Sequence, residues 1–443
     1  RLHVDLKMTD LKDRMIFTAG ALIVQIYDGL NTQKGQPYNI VHSYILNSLR
    51  SVLAKPKTVN AKLSVLENKF DAISVADETK TLDDVIDAIC EISNLINSNN
   101  WNGEDVMAIF FNEFSRYAGK SSDGQVFTPE HIASFMYRLI EVDMNDRVLD
   151  ATCGSGTFLT IAMSNMIKEA GGANTQKAKD IMSNQLYGIE FDPQIYALAC
   201  ANMLIHKDGK TNLEQCDTRT DYACSWIRSK DITKVLMNPP YERKYGCLAI
   251  VKNVLDNVPK GTKCAFILPD KKLEKDNGRN KLLKNHTLTT IVKLPENLFF
   301  GVGVTTSIFV FESGKPQNGR SIKGYYIEDD GLETVKNKGR QDVKGKWSGI
   351  EDYWIKAIQD DNDDKYNTRQ LLDPSEHLSY QMPEKPFEIY EEDFVKTMMD
   401  YEMYKRGIDA KVFKDALMQK VLYGSDVDKN SNNDTVVTLK GDN

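Results

Sequence analysis

From about residue 105 to about 315, short apolar runs alternate with amphipathic stretches, and this alternation restricts the fold more than any other feature of the chain. Strands that short, separated by helix-length segments, predict a layered α/β sheet. The predicted strands are Arg147 to Asp150, Leu186 to Glu190, Leu213 to Asp217, Lys234 to Met237, Cys264 to Leu268, Thr289 to Leu294 and Thr305 to Phe311. A helix is predicted from Phe158 to Ala170, stopped by Gly171 and Gly172. Asp192 and Pro193 have cap and first-turn chemistry and open another, reaching about Lys207. The turn-rich segment with Gly301 and Gly303 predicts that the last two strands form an antiparallel hairpin at the sheet edge.

The flanks read differently. Leu11 to Val24 and Thr81 to Ile96 carry apolar residues at near-helical spacing, and the polar cluster Asn97 to Asn100 closes that region. The expected divisions are a helical domain over 1–105, the α/β domain over 106–318, a charged irregular extension over 319–390, and a helix with a disordered tail over 391–443. Within the last, Glu391 to Tyr423 reads as helix, able to dock a partner helix or cap this chain's own core, and Asp426 to Asp434 as the tail.

Composition removes several classes. No apolar run approaches the roughly 20 residues that cross a bilayer, so no membrane span is expected. The seven cysteines are odd in number, irregularly spaced and lack any C-x-x-C pair, which points to reduced thiols in a cytoplasmic protein rather than disulfides or structural zinc. None of the six histidines has metal-ligand spacing. The chain opens on Arg1 without a secretory h-region, so the native protein is expected to begin upstream. A net charge of −7 is unusual for a chain that grips nucleic acid alone, and predicts a local basic surface or a partner that supplies one.

Two segments carry chemistry. The first is Asp150-Ala151-Thr152-Cys153-Gly154-Ser155-Gly156-Thr157-Phe158, between a predicted strand and a predicted helix. Its glycines let a ligand approach the backbone, and the helix start offers free amides. A bare tight turn would look similar, but Glu190 and Asp217 end the next two predicted strands, at the edge where open α/β sheets bind ligands. A carboxylate at Glu190 can take both hydroxyls of a ribose, and one at Asp217 can accept from an adenine amino group. A dinucleotide fits poorly. Position 159 is Leu where the fingerprint needs Gly, and Glu190 lies twice as far beyond Asp150 as the roughly 20 residues of that pattern. Asp150 would also repel a pyrophosphate. A cationic sulfonium with an amino-acid tail suits it, which makes S-adenosylmethionine the expected cofactor.

The second segment is Asn238-Pro239-Pro240-Tyr241, directly after the strand Lys234 to Met237. Two prolines stiffen the backbone and remove two donors, leaving a wall rich in carbonyls. The Asn238 side-chain oxygen and the Pro239 carbonyl can accept from one amino group and localise its lone pair for attack on a methyl. Tyr241 offers an aromatic face to a base turned out of its helix, a contact worth about 1–3 kcal/mol. Arg243 and Lys244 follow as candidate phosphate contacts, although loop cations are usually only solvated.

In this order the residues resemble the N-6 adenine amino-methyltransferase family of restriction–modification systems, above all the modification subunit of type I systems and related fused type II enzymes. The resemblance covers about 105 to 315. It includes Gly124-Gln125-Val126-Phe127-Thr128-Pro129-Glu130, similar to the family's upstream cofactor segment, and downstream Phe266 to Pro269, Leu294 to Phe300 and Thr305 to Ile308. It implies a Rossmann-like S-adenosylmethionine-dependent methyltransferase sheet that methylates N6 of a flipped adenine. The implied cofactor contacts are Gln125, Val126, Phe127, Thr128, Pro129, Asp150, Thr152, Gly154, Ser155, Gly156, Thr157, Phe158, Glu190, Asp217 and Asn238, with Asn238 to Tyr241 catalytic. Implied partners are double-stranded DNA, a specificity subunit and a restriction subunit. One departure is Ala151-Thr152, where the family usually has a proline and a small residue. Phe299 and Phe300 read better as core aromatics than as base contacts.

Three rival readings have distinct signatures. The same tetrapeptide serves enzymes acting on RNA or on a protein glutamine. A non-catalytic cofactor-binding scaffold would not need Asp150, Glu190, Asn238 and Tyr241 intact. Pro269-Asp270-Lys271-Lys272 has a nuclease-like look, but at a strand end it reads as a turn.

Overall fold

The computed structural model describes residues 2–53, 60–96, 128–206, 212–241, 246–296, 298, 304–335, 339–361, 365–383, 390–423, 425–429 and 435–439. The chain forms two compact units, Arg1–Gln381 and Met382–Asn443. The boundary expected near residue 105 lies outside the described residues.

The first unit begins with helices α1 (Leu11–Tyr27), α2 (Tyr38–Leu53), α3 (Asn60–Asp71) and α4 (Asp83–Ile96). The carboxylate of Asp10 starts α1 by accepting the amides of Lys12 and Asp13. Then follow α5 (Glu130–Leu139), β1 (Val148–Asp150), α6 (Thr157–Glu169), α7 (Gln176–Asn184), β2 (Leu186–Glu190) and α8 (Pro193–Ile205). After these come β3 (Asn212–Gln215), α9 (Asp221–Arg228), β4 (Lys234–Met237), α10 (Cys247–Asn257), β5 (Lys263–Pro269), α11 (Arg279–Asn285), β6 (Thr287–Lys293) and β7 (Thr306–Glu312). The unit ends with β8 (Ile322–Tyr326), β9 (Glu333–Val335), β10 (Gly339–Gln341), α12 (Trp347–Gln359) and β11 (Gln370–Leu372).

Among the described residues, nine strands make one sheet, in the order β11-β8-β6-β7-β5-β4-β1-β2-β3. From β3 across to β5 every pairing is parallel, while β7 runs antiparallel between β5 and β6. Strand order reverses between β1 and β4, and a crevice outside the carboxyl ends of such a pair is where ligands bind in open α/β sheets. One face packs its core against the N-terminal helices, α5, α6, α8 and α12, and the other against α9 and α10. Helix α8 is apolar all round because the sheet covers one side and α1 and α3 another. At Gly188, in β2, an added Cβ would stand 2.5 Å from a Leu213 side-chain carbon and 2.9 Å from one of Leu159, so any larger residue would force buried side chains to shift.

Four expectations change. The β6–β7 pair is antiparallel as expected but does not lie at the edge, because β8 pairs with β6 and β11 with β8. The stretch expected to be irregular contains those two strands, the β9–β10 ribbon and α12. Its strands are short and, as in Ile322-Lys323-Gly324-Tyr325-Tyr326, break the alternation that would advertise them; pairing with a preformed sheet edge stabilises them instead. Strand β3 stops at Gln215, so Asp217 belongs to the following loop.

The fourth change is in the second unit, where α13 (Glu391–Lys405) and α14 (Ala410–Tyr423) replace one continuous helix, with Gly407 in the left-handed region between them. The expected tail instead supplies the paired strands β12 (Ser425–Lys429) and β13 (Thr435–Leu439).

Candidate active site at the carboxyl edge of the sheet

Asp150 ends β1 and is almost wholly buried. One of its oxygens accepts the Thr152 amide at 3.0 Å. The backbone then turns through Gly154 and Gly156, both at positive φ, and Gly156 is the residue before the first turn of α6. Glu190, at the end of β2, holds this turn from the neighbouring strand. Its Oε2 accepts the Gly154 amide at 3.0 Å, and its Oε1 accepts the Asp192 amide at 2.8 Å. The Cys153 amide donates to the Ile189 carbonyl at 2.9 Å, and the Asn202 side chain donates to the Ser155 carbonyl at 3.0 Å. The turn is therefore pinned from β2 and from α8.

Burial sets the electrostatics. It pushes the Asp150 carboxyl up to about 8, with nearby Glu190 adding to the rise and the Thr152 amide opposing it. Glu190 is also raised by burial, partly offset by the amides it accepts. Two carboxyls, one buried and one half-buried and both hard to ionise, are stabilised by a cationic ligand. Thr152 Oγ1 is buried here with no hydrogen-bond partner among the described residues. An acidic pair, an unpaired hydroxyl and a glycine turn together fit the sulfonium and polar groups of S-adenosylmethionine.

Asn238 follows β4 directly, across the switch point from Asp150. Its Nδ2 donates to Thr128 Oγ1 at 3.1 Å, and its Oδ1 accepts the Tyr241 hydroxyl at 2.7 Å. Pro239 is buried, while Pro240 and Tyr241 are half-buried. Burial drives the Tyr241 phenol well above its usual range, with Cys247 adding to it, so the hydroxyl is a neutral donor. Thr128 is buried and Pro129 is the cap residue of α5. Thus Thr128, from the upstream segment, meets the tetrapeptide through a direct side-chain bond.

Asp217 stands apart from that group. Its carboxylate is taken by Arg219, with a bond of 2.6 Å from Nη2, and this pairing holds it below the usual carboxylate range. The residue that joins its loop to the turn is Thr218, whose hydroxyl donates to the Ala151 carbonyl at 2.6 Å. Sequence reasoning missed both Thr218 and Asn202, neither of which has a motif to mark it. Ser155, Thr157 and Phe158 are buried at the start of α6. Gln125, Val126, Phe127, Arg243, Lys244, Phe299 and Phe300 lie outside the described residues. Asp270 plays a structural part, accepting from Lys293 Nζ at 2.6 Å and from the Ser307 hydroxyl at 2.7 Å and so tying together the ends of β5, β6 and β7. Among the described residues, no group of three His, Cys, Asp or Glu side chains is placed to hold a metal ion, and no helix is long and apolar enough to cross a membrane.

This sheet, with its glycine turn and acid-ended strands at the switch point, is the α/β fold of S-adenosylmethionine-dependent methyltransferases. The N-6 DNA Methylase family profile matches residues 104–259 and 248–406, and the chain belongs to this family. It is 31% identical over 378 residues to the type II restriction enzyme and methyltransferase RM.BcgI of Heyndrickxia coagulans, covering 80% of this chain and 55% of that protein. It is 27% identical over 218 residues to the type I restriction enzyme EcoEI methylase subunit of Escherichia coli, covering 44% of this chain and 43% of that one. The chain thus spans about half the length of these curated relatives. In fold it is similar to a chain of a type I R-M system (TM-score 0.60, 16% identity, 93% of this chain and 94% of that one). It is likewise similar to the type I restriction-modification methyltransferase subunit of Streptococcus thermophilus (TM-score 0.51, 16% identity, 84% and 90%). The family implies S-adenosylmethionine as cofactor.

Proposed function

We propose that the chain methylates the exocyclic N6 amino group of adenine in DNA, as the modification component of a restriction–modification system. The observation that carries this reading is the carboxamide of Asn238, held at the carboxyl end of β4 beside the glycine turn, with its oxygen on a donor that a base could replace. S-adenosylmethionine, when bound, would supply a methyl group to the amine nitrogen, which gives up a proton to solvent, leaving a neutral thioether. This chain's residues do the rest. Asn238 Oδ1 and the Pro239 carbonyl accept from the amino group and draw its lone pair out of the ring. Positioning and aimed acceptors supply the acceleration, so no covalent intermediate on the protein is needed. Tyr241 gives the turned-out base an aromatic face. Asp150 and Glu190 hold the cationic cofactor, assisted by Thr152, by the turn from Gly154 to Phe158 and by Gln125, Val126, Phe127 and Pro129 of the upstream segment. Asp217 is free to take the cofactor's adenine amino group once Arg219 swings away.

The proposed partners rest on charge. A net charge of −7 suits a subunit that borrows much of its DNA grip, so a specificity subunit is proposed as partner, together with a restriction activity on the same or another chain. Arg243 and Lys244 are the proposed local phosphate contacts, and the proposed place of action is the cytoplasm, where host DNA lies.

Asn238→Ala tests the reading. Methyl transfer into unmethylated duplex DNA should fall by about 100- to 1,000-fold, the usual loss when one aimed group is removed. Affinity for S-adenosylmethionine, measured by calorimetry, should hold. Transfer at the normal rate, or transfer to RNA or to a protein glutamine in place of DNA, would sink it.

A further inference from the structure

We propose that Thr128 is a positioning residue: it accepts from the Asn238 amide nitrogen and so keeps the amide oxygen facing the base. This inference rests on the reading of Asn238 given above and departs from the cofactor contact that the sequence assigned to Thr128. The two ends of a carboxamide are nearly equal in size, so only its neighbours determine which end points where. Asn238 has a hydroxyl at each end, Thr128 at 3.1 Å and Tyr241 at 2.7 Å, and a hydroxyl can donate or accept. Once an amino group replaces the phenol, that freedom ends. The amino group is a donor and demands Oδ1, which sends Nδ2 to the opposite side, where Thr128 must accept. Without that acceptor, the productive orientation leaves an N–H unpaired in a mostly buried site, and the flipped amide sets donor against donor.

The position of Thr128 is itself secured from a distant part of the chain. It lies just ahead of α5, and α5 is fastened to the segment after β8 and to α12. His131 meets the fully buried Asp330 at 3.3 Å, the Ser134 hydroxyl donates to Glu351 at 2.9 Å, and Arg138 pairs with Glu351 at 3.3 Å. The region after residue 319 therefore holds the residue that orients the catalytic amide.

The experiment uses the full-length protein with its co-purifying subunits. Single-turnover transfer of a tritiated methyl group is followed on genomic DNA from a strain lacking the gene, and S-adenosylmethionine affinity is measured separately. T128V and T128A should each slow transfer by about 10- to 100-fold with cofactor Kd within about twofold, and T128S should recover most of the rate. T128A carries the test if T128V does not fold. Wild-type rates in T128V, a loss matched by an equal weakening of cofactor binding, or no recovery in T128S would overturn the inference. N238A separates the two readings. If it is inactive while T128V is normal, only the role of Thr128 falls. If N238A is active, the proposed function falls with it.

Discussion

The two sides of the switch point are held by different means. On the β1–β2 side, the turn is fixed by main-chain amides donating to Glu190 and Asp150 and by the Asn202 side chain donating to a main-chain carbonyl. On the β4 side, the Asn238 amide is held by two side-chain hydroxyls. On the first side one partner of every bond is a main-chain group fixed by the turn, whereas a side-chain hydroxyl can turn away without moving the backbone. The contrast suits a site that keeps a preformed cradle for one ligand and admits a second by displacement. On the β1 side the Thr152 hydroxyl waits without a partner among the described residues, whereas on the β4 side both ends of the Asn238 amide are already paired, with hydroxyls that a ligand can replace.

Predictions can break this contrast or sharpen it, beyond the loss of transfer expected for Asn238→Ala. The largest effect belongs to Glu190→Ala, which removes the carboxylate that accepts the Gly154 amide of the turn and the Asp192 amide beyond β2. Cofactor Kd should rise by about 10- to 100-fold, in line with bonds to a charged group, and calorimetry would read it. An unchanged Kd would mean that the turn does not depend on its neighbouring strand.

Tyr241→Phe should have a smaller effect of the opposite sign. It keeps the aromatic plate and removes the hydroxyl from Asn238 Oδ1, so the base no longer competes with it. Affinity for DNA, followed by fluorescence anisotropy, should tighten by about 2- to 10-fold, the worth of one neutral bond. If Phe weakens binding as much as Ala does, the hydroxyl is not a placeholder.

The smallest signal is a slope with pH. Asp150 titrates near 8 in the folded chain but near 4 when unfolded. Between those values the folded chain binds more protons at this site, so its contribution to stability falls as pH rises from about 4 to about 8. Thermal unfolding without cofactor, followed from pH 5 to 8, should decline less steeply in Asp150→Asn than in the parent protein. Equal slopes would place the titration elsewhere. In the parent, cofactor binding below about pH 8 should release protons from Asp150, detectable as a buffer-dependent heat.

Much of the site was legible before any fold was known because its chemistry is local. Asp150 through Phe158 and Asn238 through Tyr241 are contiguous, and glycine and proline mark turns by restricting or freeing φ at their own positions. Strands β1, β2 and β4 were legible for the same reason, since each apolar run ends at such a turn. The extra strands β8 and β11 were not legible. Three to five residues with mixed polarity carry no period of their own and become strands only beside a sheet edge that already exists.

By itself the sequence determined the fold class, the glycine turn, its acids and the tetrapeptide, because each depends on residues adjacent in the chain. Tertiary structure alone decided that Thr128 meets Asn238 from 110 positions away, that Thr218 and not Asp217 ties its loop to the turn, and that β7 lies inside the sheet. Contacts of that range are chosen by the packing of whole elements against a shared core, and no local pattern of residues encodes them.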